Sequence, residues 1–241
     1  MGEGRGGALI VMKRNIAVVL AGGTGSRIGG AVPKQFFQVR GRMLIEYAVS
    51  AFEEHPQIDE IAIVSHTAHL QEVADIIRKN GWKKVAKLLP GGKERYDSSL
   101  SAIRAYTGDD DVNLIFHDAA RPLVSRRIIT DVVETLRTEQ ACGVALPTVD
   151  TIFVCNAEGY ILSSPERATL QRAQTPQGFH LPVIREAYAI GLQDPAFRAT
   201  DDCGIVLRYM PHIPIRTVPG EEQNLKVTYK DDLQLLQTYM H

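Results

Sequence analysis

Glycines at 22, 23 and 25, followed by the cations Arg27 and Lys34, are the residues of this chain best suited to holding a phosphate. They stand in Gly22-Gly23-Thr24-Gly25-Ser26-Arg27 and Pro33-Lys34-Gln35, directly after the apolar run Ile16-Ala17-Val18-Val19-Leu20. With no Cβ in the way, such glycines let the backbone turn sharply and come close to a ligand. Amides exposed in the turn form a positively polarised nest for phosphate oxygens. Arg27 and Lys34 are spaced so that both can reach back over the same anion. The string is not a P-loop, which needs Gly, four residues and then Gly-Lys-Ser/Thr. Nor is it the dinucleotide fingerprint: Ile28 stands where the third glycine belongs, and no acidic residue closes a strand at the expected distance.

His117-Asp118-Ala119-Ala120-Arg121-Pro122 is a second cluster. Asp118 closes an apolar strand, where an unpaired carboxylate is costly unless it meets a cation or a hydroxyl-bearing ligand. Beside a triphosphate it suits Mg²⁺, which takes a few carboxylates plus phosphate oxygens and water. Arg121 is placed for charge-assisted contacts to the same ligand, or else for a plain ion pair with Asp118 that caps the strand. His117 reads as a packed, hydrogen-bonded histidine. The turn Gly91-Gly92-Lys93-Glu94-Arg95, with Ser98, offers backbone groups to a base edge and a hydroxyl at a helix start. Thr151, Arg167, Thr200-Asp201-Asp202 and Lys226 complete the polar set. The two carboxylates also suit a helix N-terminus, where the dipole favours them. Lys226, between Leu225 and Val227 in a strand-like run, stands out as a lysine aimed at an anion. A covalent serine would need a Gly-x-Ser-x-Gly elbow, and the chain has none.

The elements that must position these residues follow from periodicity. Apolar strand patterns at 16–20, 58–65, 85–89, 112–116 and 143–146 alternate with helical patterns at 43–52, 69–80, 96–106 and 125–138. That alternation predicts right-handed β-α-β units, hence an α/β, Rossmann-like fold: a mostly parallel twisted sheet with helices on both faces. Ligands gather at the carboxyl ends of such strands, which is where residues 21–34, 90–98, 117–122 and 147–151 fall. After Pro147 two short strand patterns flank a turn at 156–159. They predict a β-hairpin arm, spanning about residues 150–175, that projects beyond the sheet. The chain returns through 173–179 to helices near 182–191 and after 200, a strand at 213–218 and a last helix at 231–240.

Composition bounds the function. The 241 residues carry a formal net charge of -1, which argues against a nucleic-acid surface. Three cysteines, at 142, 155 and 203, show no CxxC spacing and suit a reduced, cytoplasmic setting. No segment approaches the ~18 apolar residues of a membrane span. Residues 1–12 read as a disordered leader, and 13–241 as one domain.

The loop at 20–35 resembles the signature of nucleotidyltransferases that join a nucleoside triphosphate to a sugar or polyol phosphate. Together with residues 91–98, 117–122, 149–152, 167–179, 200–202 and 224–228, it is similar to the 2-C-methyl-D-erythritol 4-phosphate cytidylyltransferases. It also resembles the related ribitol-5-phosphate cytidylyltransferases. The resemblance implies an enzyme joining CMP from CTP to a polyol phosphate, with release of pyrophosphate and help from Mg²⁺ or another divalent cation. It further implies a homodimer whose arm reaches into the partner's active site. Carried over residue by residue, the nucleotide site would be Ala21, Gly22, Gly23, Arg27, Lys34, Gly92, Ser98, Ala119 and Arg121. Arg27 and Lys34 would stabilise charge on the α-phosphate, with Lys226 as a further catalytic cation on the phosphates. Asp118 would serve the metal and the substrate hydroxyls. Thr151, Arg167 and Thr200 would contact the polyol phosphate, Arg167 and Thr200 from the partner subunit. His117 to Pro122, Leu170 to Gln177 and the Thr200-Asp201-Asp202 string lean towards the methylerythritol substrate. Ala21-Gly22-Gly23, where those enzymes more often show Ala-Ala-Gly, and Cys203 lean towards ribitol. A non-catalytic nucleotide-binding module is a third reading, and the pair Arg27 and Lys34 counts against it.

Overall fold

The computed structural model describes residues 13–23 and 32–240, so the leader and Arg27 lie outside the described residues. The first half of the chain runs β1 (Arg14–Ala21), β2 (Gln38–Val39), β3 (Arg42–Met43), α1 (Leu44–Glu53), β4 (Glu60–Ser65), α2 (Leu70–Asn80), β5 (Val85–Pro90) and α3 (Arg95–Ala105). It continues with β6 (Val112–Asp118), α4 (Arg126–Thr135), β7 (Ala141–Pro147), β8 (Val154–Cys155), β9 (Ile161–Ser163) and β10 (Gln171–His180). Helices α5 (Leu181–Gly191) and α6 (Asp202–Tyr209), strand β11 (Arg216–Pro219) and helix α7 (Lys230–Tyr239) complete it.

Seven strands form one sheet in the order β11-β7-β10-β6-β1-β4-β5. The pairs β1/β4, β1/β6, β4/β5 and β11/β7 are parallel. Period-2 alternation sends β1 side chains to both faces. Ala17, Val19 and Ala21 join a core with residues of α1, α2 and α4, while Ile16, Val18 and Leu20 join one with residues of α3, α5 and α6. Helices therefore cover both faces, as expected. Local chemistry sets the helix ends. The Ser125 hydroxyl accepts from the Ile128 amide at 3.2 Å to start α4, and Gly81 stops α2 at φ 63°, a left-handed conformation that glycine adopts without strain.

Two segments differ from the sequence expectation. Residues 173–179 belong to a ten-residue strand, β10, wedged antiparallel between β6 and β7. The 224–228 run around Lys226 is not a strand, although the Val227 amide donates to the Ala120 carbonyl at 2.9 Å. The predicted hairpin is present as β8 and β9, paired antiparallel apart from the main sheet. No helix among the described residues is long and apolar enough to cross a membrane.

Candidate active site

Parallel register brings Leu20 of β1 beside Asp118 of β6, so the glycine turn and the Asp118 turn leave the sheet side by side. Ser98 packs into the angle between two glycine turns. A Cβ on Gly22 would stand 2.9 Å from the Ser98 Oγ, and one on Gly91 would stand 2.7 Å from it. Both positions need to be bare for α3 to approach. The buried Gln35 Nε2 donates to the Ala21 carbonyl at 2.8 Å, tying the returning chain to the end of β1. Lys34 opens a single 3-10 turn there, after Pro33, with its Cε near Gly23. The result is a cleft of about 370 Å³ whose lining includes Gly22, Lys34, Ser98, Asp118, Thr200 and Lys226.

Asp118 is the electrostatic centre of this cleft. Its Oδ2 lies 2.7 Å from the Lys226 Nζ and 3.9 Å from the Arg121 Nε, and its Oδ1 lies 3.7 Å from the Arg95 Nε. Burial alone would raise its pKa, but Lys226, then Arg95 and Arg121, outweigh that and hold it far below the usual carboxylate range. Arg95 is anchored in turn: it donates to the Asp202 Oδ2 at 2.8 Å, and the Tyr188 hydroxyl donates to the Asp202 Oδ1 at 2.7 Å. Asp202 is thus a fully buried counter-ion as well as a first-turn residue of α6. The adjacent Asp201 is the helix cap, accepting from the Gly204 amide at 3.0 Å.

A hydrogen-bonded chain holds the Asp118 turn from beneath. The Asp118 amide donates to the Thr175 Oγ1 at 3.1 Å, and Thr175 donates to the His117 Nδ1 at 3.0 Å. The His117 Nε2 donates to the Arg121 carbonyl at 2.9 Å. Every member is satisfied with a neutral imidazole, and burial lowers the His117 pKa to about 4. His117 is accordingly the packed residue expected of it.

Most of the predicted residues converge here. Gly22, Gly23, Lys34, Gly92, Ser98, Asp118, Ala119, Thr200 and Lys226 all line the cleft, and Ala21 closes β1 at its edge. Arg121 is turned inward, its Nη1 donating to the Asn224 carbonyl at 2.8 Å. It lines an adjoining hollow shared with Thr175, Thr200 and Lys226. Thr200, expected from a partner subunit, lines the cleft of its own chain, because the start of α6 is pulled in by the Arg95–Asp202 pair. Thr151 and Arg167 are exposed on the arm, where the Arg167 Nη1 donates to the Val149 carbonyl at 3.3 Å. Arg95 and Thr175 received no role from the sequence. The signal for Arg95 was its place beside Gly91-Gly92, and for Thr175 its place before Pro176.

The family model described as IspD, 2-C-methyl-D-erythritol 4-phosphate cytidylyltransferase, matches residues 15–241. Over 94% of its length the chain is 47% identical to the 2-C-methyl-D-erythritol 4-phosphate cytidylyltransferase of Thermobifida fusca, covering 93% of it. It is 42% identical, over 91% of its length, to a bifunctional ribulose 5-phosphate reductase/CDP-ribitol pyrophosphorylase of Haemophilus influenzae, and spans 47% of that protein. The solved 4-diphosphocytidyl-2C-methyl-D-erythritol synthase of Anaerococcus prevotii shares the fold, with a TM-score of 0.84 at 23% identity over 97% of this chain and 99% of that one. The Thermus thermophilus 2-C-methyl-D-erythritol 4-phosphate cytidylyltransferase gives 0.71 at 27% identity over 95% and 99%. With its cations, glycine turns and carboxylate gathered where parallel strands end, this chain belongs to the 2-C-methyl-D-erythritol 4-phosphate cytidylyltransferase family and is a cytidylyltransferase.

Proposed function

We propose that the enzyme transfers CMP from CTP to 2-C-methyl-D-erythritol 4-phosphate, forming 4-diphosphocytidyl-2-C-methyl-D-erythritol and releasing pyrophosphate. The observation that carries this reading is the convergence of Lys34, Lys226 and Asp118 on one cleft, in a chain so similar over its length to an enzyme of that name. The attacking group is the substrate's phosphate oxygen, ionised near neutral pH because its second pKa is about 6. It displaces pyrophosphate from the α-phosphorus directly, so the chain has to position two anions and stabilise charge rather than supply a nucleophile. Glycines 22, 23 and 92, with Ser98 and Ala119, receive the nucleotide. Lys34 faces the α-phosphate and Lys226 the neighbouring phosphates, and Arg27, outside the described residues, is assigned the same charge-stabilising role as Lys34. Arg121 stays with the nucleotide, Thr200 meets the polyol phosphate from this chain, and Thr151 and Arg167 meet it from the arm of a second copy in a homodimer.

Mg²⁺, or another divalent cation, fits the donor set in one way. Among the described residues no group of three or more His, Cys, Asp or Glu forms a cage, whereas Asp118 presents one hard carboxylate to the cleft. Mg²⁺ is held in that manner, by one or two carboxylates plus phosphate oxygens and water. Bound there, it would screen the charge between the two phosphorylated substrates.

A second reading, ribitol 5-phosphate as acceptor, is favoured by the similarity to the Haemophilus influenzae protein. Pyrophosphate release measured with CTP, Mg²⁺ and each polyol phosphate separates the two. The methylerythritol substrate is expected to give the higher kcat/KM. A higher value with ribitol 5-phosphate would exchange the readings, and ping-pong kinetics would overturn direct displacement.

A further inference from the structure

Lys226 stands on a segment without regular structure, and something must fix it there to within a fraction of an ångström. Asn224, two residues before it, is wholly buried. Its Nδ2 donates to the Thr175 carbonyl at 2.8 Å and to the Gln174 Oε1 at 3.1 Å. Its own carbonyl accepts from the Arg121 Nη1 at 2.8 Å. The Gln174 Nε2 closes the loop by donating to the Glu221 carbonyl at 2.9 Å. The segment is thereby latched to β10 behind Asn224, and to the Asp118 turn ahead of it through the Val227 amide and the Ala120 carbonyl at 2.9 Å. Between the two latches Lys226 meets Asp118 at 2.7 Å.

We propose that Asn224 is a positioning residue for the reaction, its buried amide holding Lys226 at the reaction centre. The inference rests on the catalytic reading of Lys226 given above. The Asn224 Oδ1 is buried with no hydrogen-bond partner, and an acceptor left in that state costs stability. An apolar residue of the same shape removes that orphan acceptor, but it gives up both donors that fix the segment. It also takes a partner from the Thr175 carbonyl and the Gln174 Oε1, so a loss of stability is expected beside the loss of rate. Small displacements of a catalytic group are expensive, about a hundredfold in rate for roughly 1 Å.

The test is a double-mutant cycle, because a residue acting through Lys226 has nothing to act on once that lysine is gone. Asn224→Leu is expected to lower kcat by about tenfold to a hundredfold, with a smaller change in KM for CTP. In the Lys226→Ala background the same substitution is expected to cost less than about twofold. Equal losses in both backgrounds would overturn the proposal and leave Asn224 with a general structural role. Gln174→Met loosens the same latch from the β10 side, and the same cycle run with it decides the question should Asn224→Leu not fold. A Lys226→Ala enzyme with the full rate would overturn the catalytic reading of Lys226, and the proposal with it.

Discussion

Lys226 and Asp118 stand 2.7 Å apart, and a triphosphate entering the cleft competes for the lysine. Phosphate oxygens drawing Lys226 forward would leave Asp118 one cation poorer and readier for a metal ion or a substrate hydroxyl. Asp118→Asn removes the charge that Lys226, Arg95 and Arg121 share, so turnover at low Mg²⁺ is expected to fall at least about tenfold. The midpoint of thermal unfolding falls as well, since the buried Arg121 and the partly buried Arg95 and Lys226 lose their shared partner. Near-native rates at low Mg²⁺ would remove Asp118 from the metal role. Lys34 makes the complementary case, being half-buried at the mouth of the cleft. Charge builds on the non-bridging oxygens as the α-phosphorus becomes five-coordinate, so a cation there favours the transition state over the ground state. Lys34→Ala is expected to cost about 3 kcal/mol, roughly a hundredfold in kcat, with a smaller change in KM for CTP and little change in Tm. An unchanged kcat would end its catalytic assignment. Lys34 and Asp118 were legible in the sequence because each follows an apolar strand in a string of its own. Arg95 and Thr175 were not, because their meaning lies in partners 107 and 57 positions away.

Helices α1 and α2 are tied together by the carboxylate of Glu46. It accepts from the Met43 amide at 2.8 Å, the Lys79 Nζ at 3.0 Å and the Asn80 Nδ2 at 2.9 Å. Burial alone would raise its pKa, yet the hydrogen bonds from Met43, Asn80 and Lys79 prevail and lower it. A carboxylate lowered in the folded state stabilises fully above its unfolded pKa, about 4.3, and that contribution is lost as pH falls through the folded value. Glu46→Gln is therefore expected to cost about 1–3 kcal/mol at neutral pH and much less in acid, once pH has fallen through the folded value and Glu46 itself is protonated. Urea unfolding at neutral and at acid pH checks this, and an equal penalty at both would refute it. The same scale shows where reading elements from sequence stops. Strands β1, β4 and β6 were legible as apolar runs because both faces of the sheet are covered by helices. The hairpin was legible from its turn, where Gly159 takes φ 88°. Strand β10 was not, because Gln174, Thr175 and Gln177 are polar side chains buried in the service of the site. Their hydrogen bonds to Asn224, His117 and Asp201 replace the apolar contacts that periodicity detects.

Among the described residues the arm gathers apolar side chains that its own chain leaves uncovered. Tyr160, Ile161 and Leu162 on it are 71%, 59% and 64% exposed. A two-stranded hairpin is marginal by itself in water, and apolar surface gathered on one projection marks an interaction site. The proposed homodimer buries these residues and carries Arg167 to the neighbouring cleft, which is consistent with its exposed position away from the cleft of its own chain. That arrangement has a consequence no single-subunit enzyme shares. Arg167→Ala spoils only the arm, and Lys34→Ala spoils only the cleft, so each homodimer has two defective sites. A mixed dimer of the two chains has one site with both defects and one with neither. Random pairing during co-expression makes about half of the dimers mixed, so about a quarter of the wild-type rate is expected to return. Activity of the co-expressed pair, set against each variant alone, reads this directly. A rate no higher than the average of the two variants would place Arg167 in its own subunit's site and overturn the exchange of arms.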